Sequence, residues 1–202
     1  DYFKLYWKEG QLADWERLAL TRARFVAGDE GVGERALHMI RSAVYSPLKD
    51  TRMLAQEVAS MRKRLEENAD SDDLKRGRGG LMDIEFIAQY LQLIHGPAFP
   101  PLRQANTEQS IKALMKFKKL SNADAAALQQ AYMFLRLMEN RVRVVHGLSA
   151  HKLPQKPGPL RKLALRAGYV DNEKERAEQH LLRDYRENSA KVREIFTRIT
   201  KS

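Results

Sequence analysis

The sequence predicts an all-α fold, a multi-helix bundle with a long C-terminal helix, and three observations predict it. Six of the seven prolines fall in two clusters, Pro97, Pro100, Pro101 and Pro154, Pro157, Pro159, and the glycines also sit between long stretches free of both residues. Helix interiors need such stretches, because Gly costs ~1 kcal/mol and Pro ~3 kcal/mol there. No segment keeps a clean two-residue apolar alternation; the one candidate, Val142-Arg143-Val144, continues a helical pattern. The last stretch places Leu181, Leu182, Tyr185, Ser189, Val192, Phe196 and Ile199 near one helix face and Arg183, Arg186, Glu187, Lys191, Glu194 and Arg198 on the other.

In chain order, the pattern predicts helices over 12–24, 34–45, 50–68, 82–95, 108–120, 123–145, 160–167 and 172–199, with a glycine-rich loop over 75–80. Ser121 followed by Asp124 reads as a capping box and Asp171 as an N-terminal cap. Gly96 and Gly147 suit helix exits. The stretch 154–159 reads as a linker between a main bundle and the C-terminal helices. No internal repeat or low-complexity tract is present.

Composition narrows the function classes. With 202 residues and 43% hydrophobic content the chain has ample material for a core, and wholesale disorder is excluded. Charged residues at 31% and a mean hydropathy of −0.57 leave no long apolar run for a membrane span. Thirty-six Lys and Arg against 26 Asp and Glu give +10, a pull toward anionic partners such as nucleic acid, a nucleotide or an acidic protein face. Zero Cys excludes disulfides, thiol nucleophiles and Cys-ligated metal sites, and fits a reducing, cytoplasmic setting. The chain begins at Asp1 in mid-pattern, which predicts a piece of a longer protein.

The stretch Lys75-Arg76-Gly77-Arg78-Gly79-Gly80 carries the most chemistry: three cations alternate with glycines just before a helix. Glycines let backbone approach a ligand, a helix start offers N–H donors, and Lys and Arg contact phosphate. It matches neither a Walker A loop nor a dinucleotide fingerprint. A phosphate or nucleotide contact and a plain solvated basic loop both remain open.

The following helix carries Ile84, Phe86, Ile87, Tyr90, Leu91, Leu93 and Ile94, which predicts burial on most sides. Its polar strip, Glu85, Gln89 and Gln92, then needs partners, since unpaired buried polar groups cost ~1–3 kcal/mol. The candidates are arginines of neighbouring helices, Arg17 and Arg24 on the first helix and Arg136 and Arg143 on the sixth, or else a ligand. Asp83 and Glu85 point to nearly opposite sides and are no catalytic carboxylate pair. The five histidines show no metal-ligand spacing; His146 and His151 merely flank a loop. Asp70-Ser71-Asp72 has the Asp-x-Asp form of metal-dependent nucleotidyltransferases but lies in a polar loop. Lys112, Lys116, Lys118 and Lys119 suit a solvated face as well as a nucleic acid.

Two long motifs resemble a known family. Trp15-Glu16-Arg17-Leu18-Ala19-Leu20, continuing to Ala23-Arg24 and Val26-Ala27-Gly28-Asp29, is similar to the segment closing the nucleotidyltransferase domain of glutamine synthetase adenylyltransferases. Lys75, Gly79, Gly80, Asp83-Ile84-Glu85-Phe86 and Gln89 match a second motif of that family. Tyr132-Met133-Phe134-Leu135-Arg136 and Glu139-Asn140-Arg141-Val142-Arg143 resemble its later helical region, as do Leu153-Pro154 and Leu163-Ala164.

The resemblance implies a helical domain of a bifunctional enzyme that transfers AMP from ATP, with magnesium, to a tyrosine of glutamine synthetase and removes it again by phosphorolysis, under control of a PII signal protein and glutamine. It implies that residues 1–30 are the tail of a nucleotidyltransferase domain, 31–153 the main bundle and 154–202 a C-terminal helical subdomain. The Arg143-Val144-Val145-His146 stretch and Asp83 resemble the adenylylating half. No Gly-Ser dipeptide of the catalytic motif is present, so the chain is expected to lack metal-binding carboxylates and cofactors and to be inactive alone. Lys75, Arg76, Arg78, Gly79 and Gly80 are then candidate phosphate or partner contacts, with Arg17, Arg24, Asp83, Glu85 and Gln89 as positioning residues. The competing reading is a regulatory module docking PII or glutamine synthetase; a nucleic-acid-binding helical domain comes third.

Overall fold

A computed structural model describes residues 12–48, 50–147 and 151–201, with the side chain of His146 left aside. The first part of the expected tail segment, 1–11, lies outside the described residues. Among those described, eight α-helices and one 3-10 turn account for the regular structure. They are α1 (Asp14–Leu20), α2 (Glu30–Val44), α3 (Thr51–Glu67), α4 (Leu81–His95), the turn Pro100–Leu102, α5 (Thr107–Lys116), α6 (Asn122–His146), α7 (Pro157–Arg166) and the long α8 (Ala177–Lys201). The only strand-like pairing among the described residues is an isolated bridge between Asp73 and Lys152. The all-α class and the long last helix are as the sequence predicts.

The helix ends differ from the predicted ones for local reasons. At α1 the chain tightens after Leu20: the Thr21 hydroxyl donates to the Leu18 carbonyl at 2.6 Å, and Ala23 N–H reaches back to Leu20 at 3.0 Å. α2 starts four residues early, because Asp29 caps it by accepting from Val32 N–H at 2.8 Å, and Gly31 and Gly33 lie inside the helix. α5 stops at Lys116 because Lys118 takes a φ of 56°, letting Lys119 and Leu120 N–H both reach the Leu114 carbonyl. α7 starts at Pro157, where a missing N–H is harmless. α8 starts at Ala177 because the Asn172 side chain folds 172–175 into a turn, accepting from Lys174 and Glu175 N–H at 2.8 Å. The Asp171 carboxylate still serves this end, accepting from Ala177 N–H at 2.8 Å. Ser121 holds the start of α6, its hydroxyl accepting from Asp124 N–H at 3.1 Å and donating to the Asp124 carboxylate at 2.7 Å.

Contacts divide the chain into two units. The first comprises Asp1–Met61, Glu85–Ala125 and Thr200–Ser202, the second Arg62–Ile84 and Ala126–Ile199. Each has its own core. Leu54, Val58, Ile87, Leu102, Ile111 and Leu114 are fully buried in the first, and Leu74, Leu81, Leu128, Leu135, Leu181 and Ile195 in the second. The predicted apolar face of the last helix is the buried one, through Leu181, Tyr185, Ser189, Val192 and Phe196. The α4 stretch is buried on most sides, as its composition requires. No helix among the described residues is long and apolar enough to cross a membrane.

Candidate functional site

In the second unit the 70–83 segment is built from its own carboxylates and glycines. Asp73 is buried, and one carboxylate oxygen accepts from the N–H groups of Lys75 (2.9 Å) and Arg76 (2.8 Å). Its other oxygen faces His151 Nε2 at 3.2 Å. The loop is tied to 151–153 by Leu74 N–H donating to the His151 carbonyl (2.9 Å) and Leu153 N–H to that of Asp72 (3.0 Å). Gly77 N–H donates to the Asp73 carbonyl and Gly80 N–H to the Gly77 carbonyl. Gly79, at φ +71°, lies flat on α8: a Cβ there would sit 1.9 Å from the Ser189 carbonyl oxygen. Only glycine fits both that conformation and that approach.

Beneath the loop lies a buried ionic network. Asp83 and Arg62 are both fully buried, and Arg62 Nε donates to Asp83 Oδ1. Arg62 Nη2 donates to the carbonyls of Arg76 (2.8 Å) and Gly77 (2.7 Å). Asp83 Oδ2 accepts from Gly79 N–H at 2.6 Å, and Arg193 approaches Asp83 at 3.3 Å and Glu66 at 3.0 Å. Burial pushes the Asp83 carboxyl up, while the Arg62 and Arg193 guanidiniums and the Gly79 N–H pull it down. A desolvated carboxylate between two guanidiniums is a fixed structural charge, and removing one partner of such a pair costs ~3–5 kcal/mol.

The expected cradle of free backbone donors is not what forms. The N–H groups of Lys75, Arg76, Gly77, Gly79 and Gly80 are all donated within the segment, as are those of Leu81, Met82 and Asp83 at the start of α4. What faces solvent is the set of Lys75, Arg76 and Arg78 side chains, all exposed and without an ion pair among the described residues. Gly79 and Gly80 serve packing: a Cβ on Gly80 would lie within 2.9 Å of three carbonyl oxygens.

The other candidates lie in the first unit. Glu85 pairs with Arg22 at 2.9 Å and not with Arg17 or Arg24. Arg17 is buried and donates to the carbonyls of Val44 (3.4 Å) and Ser46 (3.3 Å). Arg24 is exposed and lines a cavity with Tyr45 and Arg103. Gln89 is buried, and Gln92 donates to the carbonyls of Leu102 (2.8 Å) and Gln104 (2.7 Å). In the second unit Arg136 and Arg143 pair with buried Glu139 at 2.7 and 3.1 Å.

No three His, Asp or Glu side chains gather among the described residues as metal ligands. Asp70 pairs with Lys152, which holds its carboxyl below the usual range, and Asp72 accepts from Gln155 at 2.7 Å.

Arg62, Arg193 and Asp73 were not singled out by the sequence. Asp73 carries a readable signal, an Asp followed by N–H groups two and three residues on. Arg62 and Arg193 carry none, being two cations among 36.

Comparison with known proteins bears on this arrangement. A family model described as GlnD PII-uridylyltransferase matches residues 51–200. A bifunctional glutamine synthetase adenylyltransferase/adenylyl-removing enzyme of Xanthomonas axonopodis pv. citri is 38% identical over 166 residues, 81% of this chain and 17% of the relative. Proteins of the same name from Streptomyces avermitilis (37% over 158 residues, 76% of this chain and 16% of the relative) and Agrobacterium fabrum (33% over 174 residues, 83% and 18%) are also similar. The chain belongs to this adenylyltransferase family. It spans under a fifth of the length of these relatives. The family match begins at Thr51 and so takes in the 75–83 motif, the buried network beneath it and α8.

Proposed function

We propose that this chain serves as a helical domain of a glutamine synthetase adenylyltransferase/adenylyl-removing enzyme, and that Lys75, Arg76 and Arg78 contact either an ATP phosphate or an acidic face of glutamine synthetase. One observation carries the reading: three solvent-facing cations, without an ion pair among the described residues, stand on a loop whose backbone is held by Asp73, Gly79 and the Arg62 and Asp83 pair. A rigid platform lowers the ordering cost of binding an anion. In the parent enzyme, ATP with magnesium would supply the adenylyl group and a glutamine synthetase tyrosine would accept it, in a cytoplasmic setting. This chain's part is to orient the anion through side-chain charge. Arg62 and Asp83 hold the loop, and the Arg22 and Glu85 pair fixes the start of the first unit's α4 stretch.

The test is Lys75→Glu with Arg78→Glu in the full-length enzyme. Each charge-assisted contact contributes ~1.5–3 kcal/mol, so AMP transfer should fall by at least about 100-fold. Unchanged transfer overturns the reading.

A second reading, a module docking PII or glutamine synthetase, gains from the committed backbone donors, since recognition by side chains alone suits an acidic protein face as well as a phosphate. Pull-down of the chain with each protein, beside ATP titration, separates the two: protein capture without nucleotide affinity favours docking.

A further inference from the structure

The first unit contains a cavity of about 220 Å³ that none of the preceding roles uses. Its apolar wall is formed by Leu20, Phe25, Leu37, Ile40 and Val44. Its polar lining is Thr21, Arg24, Arg41, Tyr45 and Arg103, and among the described residues no carboxylate side chain lines it.

Both aromatic walls are seated on glycine. A Cβ on Gly33 would lie 2.3 Å from the Phe25 ring, and one on Gly96 would lie 2.8 Å from the Tyr45 ring. Arg103 is anchored, its guanidinium 4.8 Å from the Tyr45 ring centre and donating to the Gly96 carbonyl at 2.9 Å. The Thr21 hydroxyl is committed to Leu18. Arg24 and Arg41, in contrast, make no side-chain hydrogen bond or ion pair among the described residues, and neither does the Tyr45 hydroxyl. Burial pushes that hydroxyl up to about 12, against the pull of Arg103 and Arg41.

A ligand here meets donors and an apolar wall. A cation is repelled by three guanidiniums. A neutral apolar ligand leaves the Arg24 and Arg41 charges without a counter-charge and gains nothing from them. A bare inorganic anion leaves the apolar wall wet. We propose that this cavity binds a small organic anion, with its apolar, flat body against Phe25, Ile40 and Val44 and its carboxylate or phosphate on Arg24 and Arg41. The volume lies below the ~300–1,000 Å³ of drug-sized sites, so the ligand is of the size of a substituted benzoate or phenyl phosphate.

The experiment titrates the full chain with phenyl phosphate and with benzoate, following binding by calorimetry and NMR shifts, with inorganic phosphate and benzyl alcohol as the separate halves. At least one aromatic anion should bind saturably and more tightly than either half; the tighter of the two identifies the head group. Arg24→Gln with Arg41→Gln should weaken it by about tenfold or more, as expected for lost charge-assisted contacts. Both residues are exposed and unpaired, so circular dichroism should stay unchanged, and Tyr45→Phe offers a second variant of unaltered charge that should also weaken binding. Four results overturn the proposal: no binding by either anion, equal binding of benzyl alcohol, undiminished binding in the double arginine variant, or loss of binding on Lys75→Glu with Arg78→Glu. The last would place the anion on the loop of the second unit.

Discussion

Tyr45 shows how a single buried group sets a pH limit. Its hydroxyl is pushed up to about 12 by burial, from 10 in the unfolded chain. A group whose folded pKa is raised contributes stability that is whole below pH 10 and is lost as pH rises from about 10 to about 12. The contribution is of order 2 kcal/mol. Urea unfolding across that window should therefore fall less steeply for Tyr45→Phe than for the native chain; identical slopes would contradict this. At the same scale, the sequence showed which residue types the loop carries and hid where their hydrogen bonds go. Lys75, Arg76 and Arg78 stand exposed as a solvated basic loop requires. The glycine N–H groups, read as ligand donors, are spent internally on Asp73, Asp83 and carbonyls of the same segment. Asp83 meets Arg62 and Arg193, 21 and 110 residues away, and spacing says nothing about such distant pairs. Glu85 does have its arginine, but the chain turns after Leu20, so the strip through Arg17 and Arg24 is broken and Arg22 takes the place.

The contact between loop and α8 is decided by Gly79. Its φ of +71° and a Cβ position 1.9 Å from the Ser189 carbonyl add up to two separate penalties for any side chain. The left-handed conformation alone costs roughly 1–2 kcal/mol, and the clash must also shift backbone of a helix. Gly79→Ala should therefore lower the urea midpoint well beyond the ordinary effect of a surface substitution, with hydrogen exchange rising first at residues 74–80; a neutral substitution would mean that the seat is loose. The helices themselves were legible because Gly and Pro sit between them, and their ends were not. Gly31 and Gly33 read as breakers, yet lie inside α2, where Gly33 leaves room for the Phe25 ring. Lys118 ended α5 by adopting a conformation that Lys seldom takes, with no glycine to announce it. The Asn172 turn delayed α8, although Asp171 still satisfies its first N–H.

For the molecule as a whole, the excess of positive charge splits into two kinds. Some of it is spoken for: Arg62 and Arg193 on Asp83, Arg136 and Arg143 on Glu139, and Arg161 on Asp171 and Glu178. The rest includes Lys75, Arg76 and Arg78 in one unit and Arg24 and Arg41 in the other, and the sequence could not separate the two kinds. The clamped loop has a consequence for digestion. Lys75-Arg76-Gly77-Arg78 is, as a string, a dense tryptic target whose three cationic side chains are exposed. A protease needs several residues freed from their own hydrogen bonds, so cleavage here requires local opening. The native chain should resist trypsin at these bonds, and Asp83→Ala, which strips Arg62 of its nearer counter-charge and Gly79 N–H of its acceptor, should turn the same bonds into early cuts mapped by mass spectrometry. Rapid cutting of the native loop would show the clamp to be weak. The same chemistry that exposes a row of cations thus also shields the chain that carries them.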